Sequence, residues 1–346
     1  MGGIVRSRSF VVFLTLLVVL LLAALLYSLL RDEPPVTPPD SSAAASREPH
    51  AEPSQLESSE PPAAPTEAAE PVVLLAAGDI ASCDSDGVPR EGVRDTAALV
   101  DRLLDDEDRP LMVAALGDLA NDGSEEVFEE CYEPTWGAFA DITRPTIGNH
   151  DGADDAEAYF EYWDELDMPE GGYYSYEHGA WHVFVLHTNC GKAGGCDEGD
   201  PQYEWLQEEL EDLDTGNILA YWHKPRFSVG RHGEFRAIGD AYELLAEAGA
   251  DVVLSGHDHA YQRWSTMGPD GTVEQGAPRQ FVIGTGGHPL RPVEDSDDLQ
   301  EEGLEFYQDE EHGLLRLQLE PCGYRWEFVT VDDEVLDEGR LEGTCE

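Results

Sequence analysis

Positive charge is scarce in this sequence. Its 346 residues include 73 Asp and Glu but only 20 Lys and Arg, which gives a formal net charge of −53. This charge argues against nucleic acid as a partner, because binding to a phosphate backbone depends on basic side chains. A chain so acidic also repels itself unless salt screens the charges, as it does at molar concentrations, where the Debye length is about 3 Å. Since the acids are spread along the whole chain rather than collected in a tail, we expect a protein adapted to high salt.

Cysteine pairs of the CxxC type are absent, which argues against a zinc knuckle. The six cysteines are even in number and follow an apolar N-terminal segment, a combination typical of disulfides in an oxidising compartment. We prefer the pairing Cys83–Cys131, Cys190–Cys196 and Cys322–Cys345, in which the second pair encloses only a short flexible loop. Buried free thiols are the alternative.

Charged residues are missing from Phe10 to Leu30. A helix of this length, at about 1.5 Å per residue, spans the roughly 30 Å of a hydrocarbon layer. Arg6 and Arg8 precede the run, so the N-terminus is expected to stay cytoplasmic. Residues 1–31 are therefore predicted to be a cytoplasmic stub and a signal anchor, which would hold a single-pass protein in the cell membrane with its catalytic domain outside. The alternative is a cleaved signal peptide and a secreted protein.

Bulky apolar residues are few between residues 32 and 70, where Pro, Ala, Ser and Glu predominate. A segment of this composition buries too little surface to fold, so we expect a disordered, extended linker. The folded domain is predicted to occupy residues 71–346, which is long enough to build a sizeable core.

Short apolar runs alternate with helix-like stretches after residue 71. The runs are Val72–Ala77, Leu111–Leu116, Trp181–His187, Ile218–Trp222, Asp251–Ser255 and Gln280–Ile283. The helix-like stretches are Val93–Leu104, Gln202–Leu213 and Ala241–Ala248, the second preceded by a capping Asp200 and by Pro201. This alternation predicts an α/β fold. Near the C-terminus, residues 314–320 and 324–331 alternate at period two and predict an antiparallel hairpin.

Five short motifs follow the apolar runs in a fixed order, where strands would give way to loops. Their candidate metal ligands are Asp79 in GDIA, Asp118 in GDLAND, Asn149 in GNHD, His223 in WHKPR, and His257 and His259 in GHDH. Oxygen and nitrogen ligands of these types suit two divalent or trivalent ions. Two such ions about 3.5–4 Å apart are the usual arrangement for phosphoester hydrolysis. Because a single Gly-Asp pair is more typical of a plain turn, the prediction depends on the five motifs together.

Basic residues crowd the segment after the fourth motif. They are Lys224, Arg226, Arg231 and His232. In so acidic a chain, a basic loop beside metals is expected to hold a phosphate group, and Arg263 is a further candidate. Scattered surface charges are the alternative. The remaining isolated histidines are interpreted as structural, namely His178, His182, His187 and His312.

Together these motifs resemble the calcineurin-like metallophosphoesterase superfamily and, within it, the branch similar to purple acid phosphatases. The resemblance covers roughly Val72 to Val331 and includes the segments CYEPTWG, GGYYSYEHGAWHVFVLHTNC, DPQYEWL and FVIGTGG. It implies a four-layer α/β/β/α sandwich with mixed sheets. It also divides the ligands, with Asp118 bridging two metals, Asp79 and His259 on the first metal, and Asn149, His223 and His257 on the second.

The resemblance also implies a catalytic residue and exposes two departures. His150 would lie outside the metals and contact the substrate phosphate or protonate the leaving oxygen. This chain has Ala81 where the wider superfamily often has a histidine, and Asn121 where purple acid phosphatases have a tyrosine. Asn121 is therefore a candidate weak ligand, with Asp122 as the alternative. Without the tyrosinate, no purple charge-transfer colour is implied and ferric iron is less favoured.

From the sequence we predict a metal-dependent phosphoester hydrolase, in particular a phosphomonoesterase similar to acid phosphatases. Hydroxide generated at a dinuclear centre of Mn, Zn or Fe would attack phosphorus. One alternative is a phosphodiesterase acting on cyclic nucleotides or other diesters, and another is a catalytically weak surface binding protein on the same fold. The expected partners are a small phosphoester substrate and, through the N-terminal helix, the membrane.

Overall fold

A computed structural model describes residues 70–152, 156–166, 168–169, 171–213, 216–292 and 303–342. These residues belong to the unit Pro65–Glu346. The predicted signal anchor and all of the predicted linker except Glu70 lie outside the described residues, so both stay predictions. In the ranges given above, no helix is both long enough and apolar enough to cross a membrane.

Two mixed β-sheets carry the fold. Their strands, in chain order, are β1 (Val72–Ala77), β2 (Leu111–Ala115), β3 (Thr143–Pro145), β4 (Tyr174–His178), β5 (Trp181–Val185), β6 (Ile218–Tyr221), β7 (Val252–Ser255), β8 (Tyr261–Thr266), β9 (Arg279–Ile283), β10 (Leu304–Gln308), β11 (Gly313–Glu320), β12 (Gly323–Thr330) and β13 (Val335–Glu342). The first sheet has the order β13-β12-β11-β1-β2-β3, and the second has the order β10-β8-β9-β7-β6-β5-β4.

Each sheet contains a group of parallel strands whose carboxyl ends lie at one edge of the sheet. In the first sheet β1, β2 and β3 run parallel, while β11 pairs antiparallel with β1. In the second sheet β5, β6, β7 and β9 run parallel. The carboxyl ends of parallel strands are the common location of functional loops in α/β folds. The α/β class with mixed sheets, predicted from the sequence, is confirmed.

Helices pack against both sheets. Those in the described residues are α1 (Glu91–Asp105), α2 (Glu125–Val127), α3 (Glu157–Tyr162), α4 (Cys190–Ala193), α5 (Pro201–Glu211) and α6 (Gly239–Glu247). Helix α1 contacts β11 of the first sheet. Helix α5 begins at Pro201 as predicted, but the carboxylate of Asp200 accepts the backbone N–H of Asp197 at 2.9 Å and makes no capping bond to the helix.

Strand β6 shows why its sequence is a continuous apolar run. Leu219 belongs to the apolar cluster that also contains Leu74 of β1, so it faces the first sheet. Its neighbour Ala220 belongs to a second cluster with Leu206 of α5 and Leu245 of α6. A strand covered on both faces cannot alternate between apolar and polar residues, because successive side chains point to opposite faces.

The predicted elements lie close to their predicted positions, and the structure adds the strands β3, β4, β8, β10 and β13. The hairpin is present as β11 and β12, in antiparallel register. Strand β11 pairs with β1, and β12 pairs with a further strand, β13, that the sequence pattern did not reveal. The hairpin is therefore part of the first sheet and places β1, which carries the first motif, in its interior.

Two of the three preferred disulfides are present among the described residues. Cys83 and Cys131 are bonded with their Cα atoms 5.8 Å apart, and Cys190 and Cys196 with theirs 5.2 Å apart. Cys322 is also disulfide-bonded, whereas its predicted partner Cys345 lies outside the described residues. In the part of the chain that the structure describes, the alternative of free thiols is therefore wrong.

Candidate metal centre

The loops at the strand ends bring the five motifs together from both sheets. Asp79 follows β1 and Asp118 follows β2, while the histidine motifs follow β6 and β7. The backbone N–H of Asp79 donates to the carbonyl of Gly117 at 2.9 Å, which joins the first two motifs. The N–H of Gly78 donates to the carbonyl of Ile283 at 2.8 Å, which ties this edge to β9 of the second sheet.

Three candidate ligands have left-handed backbones. The φ angles are 57° at Asp79, 52° at Asp118 and 73° at His257. This region is unfavourable for residues other than glycine and is typically retained at functional sites, where the surrounding structure holds it. Gly117 has a left-handed φ of 86°, as expected for a tight turn. At Gly148 a Cβ atom would overlap the backbone of Asp118, so glycine is needed there for close approach.

His223 and Asp118 form the first buried pair. The Nε2 atom of His223 lies 3.3 Å from Oδ2 of Asp118, and its Nδ1 lies 2.9 Å from the carbonyl oxygen of Leu116. Because a carbonyl only accepts, Nδ1 carries a proton and Nε2 is turned toward the carboxylate, as in a metal-ligating histidine. Burial lowers the pKa of His223, but Asp118 outweighs it and raises this pKa to about 9.

His259 and Asp79 repeat this arrangement on the other side of the site. His259 Nε2 lies 3.3 Å from Asp79 Oδ1, and His259 Nδ1 lies 2.9 Å from the carbonyl oxygen of Pro289. Asp79 is almost fully buried, and burial raises its pKa, but the neighbouring His259 shifts it well below its usual range. Both aspartates therefore direct a carboxylate oxygen at an imidazole nitrogen.

Backbone donors hold one oxygen of each carboxylate. The N–H of His257 donates to Asp79 Oδ2 at 2.6 Å, and the N–H of His150 donates to Asp118 Oδ1 at 2.8 Å. The second oxygen of each carboxylate is left facing the histidines. This fixes the orientation of the carboxylates before any cation binds.

Several of the predicted ligand atoms are buried without a hydrogen-bond partner. They are Asp79 Oδ1, Asn149 Oδ1 and His223 Nε2. The atoms of Asp79 and His223 each lie 3.3 Å from a facing ligand atom, of His259 and of Asp118, without forming a hydrogen bond of good geometry. A buried polar atom without a hydrogen bond costs about 1–3 kcal/mol, so these three atoms are candidates to bind a ligand. Independently, ligand atoms of Asp118, His223 and His257 all lie within 4.8 Å of one another. The donor set fits a metal ion with oxygen and nitrogen ligands.

His150 lies at the rim of this cluster. Its Nε2 is 3.9 Å from Asp118 Oδ2, and half of its side-chain surface is exposed. It is therefore close to the ligands and reachable from solvent, as expected for a residue that acts on a substrate.

Two of the predicted substrate residues, His232 and Lys224, lie close to the candidate ligands. His232 lies against His257, with ring centroids 4.4 Å apart. Lys224 adjoins the site through its neighbour His223, and its Nζ lies 5.1 Å from the ring centre of Phe235. Burial lowers the pKa of Lys224, which Asp118 partly offsets. Arg231 is exposed.

Arg226 and Arg263 pair with groups other than the candidate ligands, and their role as substrate residues stays a prediction. Arg226 donates to the carbonyl of Pro269 and lines a separate cavity of about 320 Å³ with Trp264 and other residues. Arg263 on β8 binds the buried Asp337 through two nitrogens, at 2.8 and 3.0 Å. Strand β8 runs antiparallel to β9 and so leads Arg263 away from the carboxyl ends of the parallel strands.

Three functional candidates were missed in the sequence. Asp151 is buried and accepts the N–H groups of Ala120 and Gly148, each at 2.9 Å, so it joins the second and third motif loops. Asp258 is buried between the two histidines of GHDH. The ring of His288 lies beside His259, with centroids 4.4 Å apart. Asp151 and Asp258 stand inside the quoted motifs and His288 directly follows FVIGTGG, which was the available signal.

The structure also shows the surroundings of Ala81 and Asn121, the two positions that depart from the family pattern. Ala81 is buried and forms a β-bridge with Ala120, and the N–H of Asn121 donates to the carbonyl of Ala81 at 3.0 Å. Asp122 is not available as the alternative ligand in this arrangement. Its carboxylate is exposed and accepts the backbone N–H and hydroxyl of Ser124, at 3.1 and 2.6 Å.

The four histidines interpreted as structural lie on the strands or contact the backbone. His178 Nε2 is 2.8 Å from the carbonyl oxygen of Val73, His187 Nδ1 is 3.1 Å from that of Gly171, and His312 Nδ1 is 3.2 Å from that of Thr285. His182 is the second residue of β5 and stacks on Phe184.

Comparison with known proteins identifies the family to which this chain belongs. The family model described as "Calcineurin-like phosphoesterase" matches residues 70–261, a range that contains all the candidate ligands. The chain belongs to this family. The predicted resemblance to metallophosphoesterases is thereby confirmed.

Purple acid phosphatases are among its relatives. Over 199 residues the chain is 31% identical to Purple acid phosphatase 15 of Arabidopsis thaliana, a match that covers 50% of this chain and 36% of that protein. Over 238 residues it is 26% identical to Probable purple acid phosphatase 20 of the same plant, covering 60% of this chain and 54% of the relative. The chain thus spans about a third to a half of the length of these relatives.

Solved structures agree in fold. The purple acid phosphatase PPD1 from yellow lupin seeds superimposes with a TM-score of 0.63 at 17% identity, covering 79% of this chain and 54% of that one. GAP50, the anchor in the inner membrane complex of Plasmodium, superimposes with a TM-score of 0.60 at 14% identity, covering 80% of this chain and 90% of that one. At these identities the likeness establishes the fold alone.

Proposed function

We propose that this protein hydrolyses phosphoesters at a centre of two metal ions. The observation that carries the proposal is the set of buried, unpartnered ligand atoms on Asp79, Asn149 and His223, at the joint edge of the two sheets. Family membership and the purple acid phosphatase relatives support the same chemistry.

Six residues would hold the metals. Asp118 would bridge the two ions, with Asp79 and His259 on one side and Asn149, His223 and His257 on the other. The bound metals would supply Lewis-acid stabilisation of the phosphoryl oxygens and lower the pKa of a water. Mn, Zn and Fe are our candidates, because imidazole and carboxylate ligands suit all three.

The residues around the metals would bind substrate and move the proton. His150 would donate a proton to the leaving oxygen or a hydrogen bond to the phosphoryl group, since its ring is exposed beside Asp118. His232 and Lys224 would line the cleft, and the ammonium group of Lys224 would favour an anionic substrate.

We favour a phosphomonoesterase and keep a phosphodiesterase as the second enzyme candidate. A panel of phosphomonoesters, cyclic nucleotides and other diesters, assayed with Mn, Zn, Fe and Co in molar salt, separates the two. Turnover of monoesters at least ten times faster than that of diesters supports the first. The reverse ratio supports the second.

A binding protein without useful catalysis is the rival from another class, and the fold shared with the anchor GAP50 is its specific support. The full set of ligand side chains counts against it. Metal analysis decides the matter: an inactive relative should hold less than about one metal per chain, whereas the proposed enzyme should hold two. No turnover of any substrate by a protein with two metals would also contradict the proposed enzyme.

We further propose that the enzyme is held at the cell surface by residues 1–31 in a high-salt organism.

The net charge of −53 predicts that the protein loses stability or activity at low salt, because self-repulsion is then unscreened. Thermal unfolding at about 0.1 M and about 2 M sodium chloride should give a clearly higher midpoint in the second. A reference enzyme of near-neutral charge in the same buffers corrects for general salt effects. Equal midpoints would remove the high-salt proposal.

The absent tyrosine at Asn121 gives a spectroscopic prediction. The wild-type protein loaded with iron is expected to show no visible charge-transfer band, while Asn121→Tyr should bind the first metal more tightly and develop such a band with ferric iron. Asn121→Phe is the matched control, since it adds the ring without the phenolate. Absorption spectra and metal titrations measure both effects. A purple wild-type protein would show that another residue supplies a phenolate.

A further inference from the structure

Arg291 lies beside the candidate metal centre and has no role in the function argued so far. Its Nη1 is 2.5 Å from Nε2 of His232. The ring of His232 in turn lies 4.4 Å from that of His257 and 6.5 Å from that of His259, centroid to centroid. The guanidinium is thus separated from two candidate ligands by a single imidazole ring.

The backbone holds Arg291 in place. In the segment that follows β9, the N–H of Gly286 donates to the carbonyl of Gly78 at 2.9 Å, and that of His288 donates to the carbonyl of Asp79 at 2.8 Å. The N–H of Arg291 donates to the carbonyl of His259 at 3.0 Å. Because this segment is bonded to the first and last motifs, its geometry follows that of the metal ligands.

The partner of Arg291 is fixed as well. The buried carboxylate of Asp258 accepts the backbone N–H of His232 at 2.8 Å, and it also accepts the hydroxyl of Ser228. Asp258 stands between His257 and His259 in the sequence, so His232 is tied directly to the ligand loop. A guanidinium only donates, so the Nε2 atom of His232 accepts from Arg291. That bond uses one of the five N–H donors and leaves others for a further acceptor.

Many arginines of this acidic protein pair with a carboxylate. Arg263 pairs with Asp337 at 2.8 Å and Arg316 with Glu107 at 2.6 Å, and similar pairs recur elsewhere on the surface. Among the residues that the structure describes, no carboxylate pairs with Arg291. A positive charge beside two candidate ligands suits an anionic ligand that enters from solvent.

We propose that Arg291 binds the phosphoryl group of the substrate, with His232 orienting its guanidinium. The planar fork of arginine can donate two parallel hydrogen bonds to phosphate oxygens, which lysine cannot reproduce. The proposal rests on the phosphoesterase function proposed above. It makes Arg291 a determinant of substrate affinity rather than a metal ligand.

The test compares Arg291→Ala and Arg291→Lys with wild type, using the full chain loaded with metal at one fixed salt concentration. Arg236→Ala is the matched control, because Arg236 is 85% exposed and pairs only with the partly exposed Glu234. Calorimetric titration with inorganic phosphate gives Kd, turnover of an aryl phosphate gives KM and kcat, and elemental analysis gives the metal content.

We expect Arg291→Ala to raise the Kd for phosphate and the KM by about 10- to 100-fold, as for the loss of a hydrogen bond to a charged group. The change in kcat should be smaller and the metal content unchanged. Arg291→Lys should lie between the alanine variant and wild type, and Arg236→Ala should match wild type. The proposal is overturned if Arg291→Ala binds phosphate within about two-fold of wild type, or if it loses metal.

The two proposals can fail separately. A protein that hydrolyses no phosphoester refutes the proposed function, while phosphate titration of wild type and Arg291→Ala still tests whether this arginine binds the anion. Conversely, normal hydrolysis by Arg291→Ala with unchanged KM refutes the role of Arg291 and leaves the proposed function in place.

Discussion

Replacement of Asp118 by alanine is expected to abolish phosphoester hydrolysis and to remove at least one of the two metals, while leaving the fold largely intact. Asp118 is buried, its Oδ2 faces His223 Nε2 at 3.3 Å, and in the proposed centre it would bridge both ions. Its removal would also take away the charge that raises the pKa of His223. Turnover, metal content and far-ultraviolet circular dichroism measure the three expectations.

Asp122→Ala is the matched control for this experiment. Asp122 lies in the same loop but is exposed and bonded to Ser124, so its loss should leave metal content and turnover close to wild type. Retention of more than about a tenth of wild-type turnover in Asp118→Ala would rule out the bridging role. Asn149→Ala should behave like Asp118→Ala, because its buried Oδ1 has no other partner.

Replacement of His150 by alanine should lower turnover by about 10²- to 10⁴-fold without emptying the metal site. This is the usual effect of removing a general acid or a group that contacts the reacting phosphoryl oxygens. The half-exposed ring makes a structural role for the side chain small. The backbone N–H of His150, which binds Asp118 Oδ1, is kept in the variant.

The metal content of His150→Ala tests whether His150 is itself a metal ligand. A depleted site in His150→Ala would make His150 a ligand and contradict the proposed role. His182→Ala serves as the control, because His182 is the second residue of β5 and lies near the beginning of the strand, away from the carboxyl-end edge. Its turnover should match wild type.

Much of the fold could be predicted from the sequence because its strands are buried on both faces. Continuous apolar runs such as Val72–Ala77 mark the interior strands, and the motifs mark where those strands end. The edge strands were missed. β4, for example, is half-buried over most of its length and has no strong apolar signal.

The sequence by itself determined the kinds of atom at the site: carboxylates, an amide and imidazoles that follow strands in a fixed order. Ligand identity is local information, because a short motif sets both the side chain and the turn that carries it. The left-handed backbones of Asp79 and Asp118 were not visible in this way, since they are stabilised by contacts between the two loops.

Only the tertiary structure decided which basic residues accompany the ligands. Arg226 stands three residues after His223, yet it donates to Pro269 and lines another cavity. Arg291 is 68 residues farther along the chain from His223 but meets His232 beside the ligands, because the segment after β9 is hydrogen-bonded to the first and last motifs. Hydrogen bonds between distant loops and the direction of each strand set these positions, and neither is encoded by distance along the sequence.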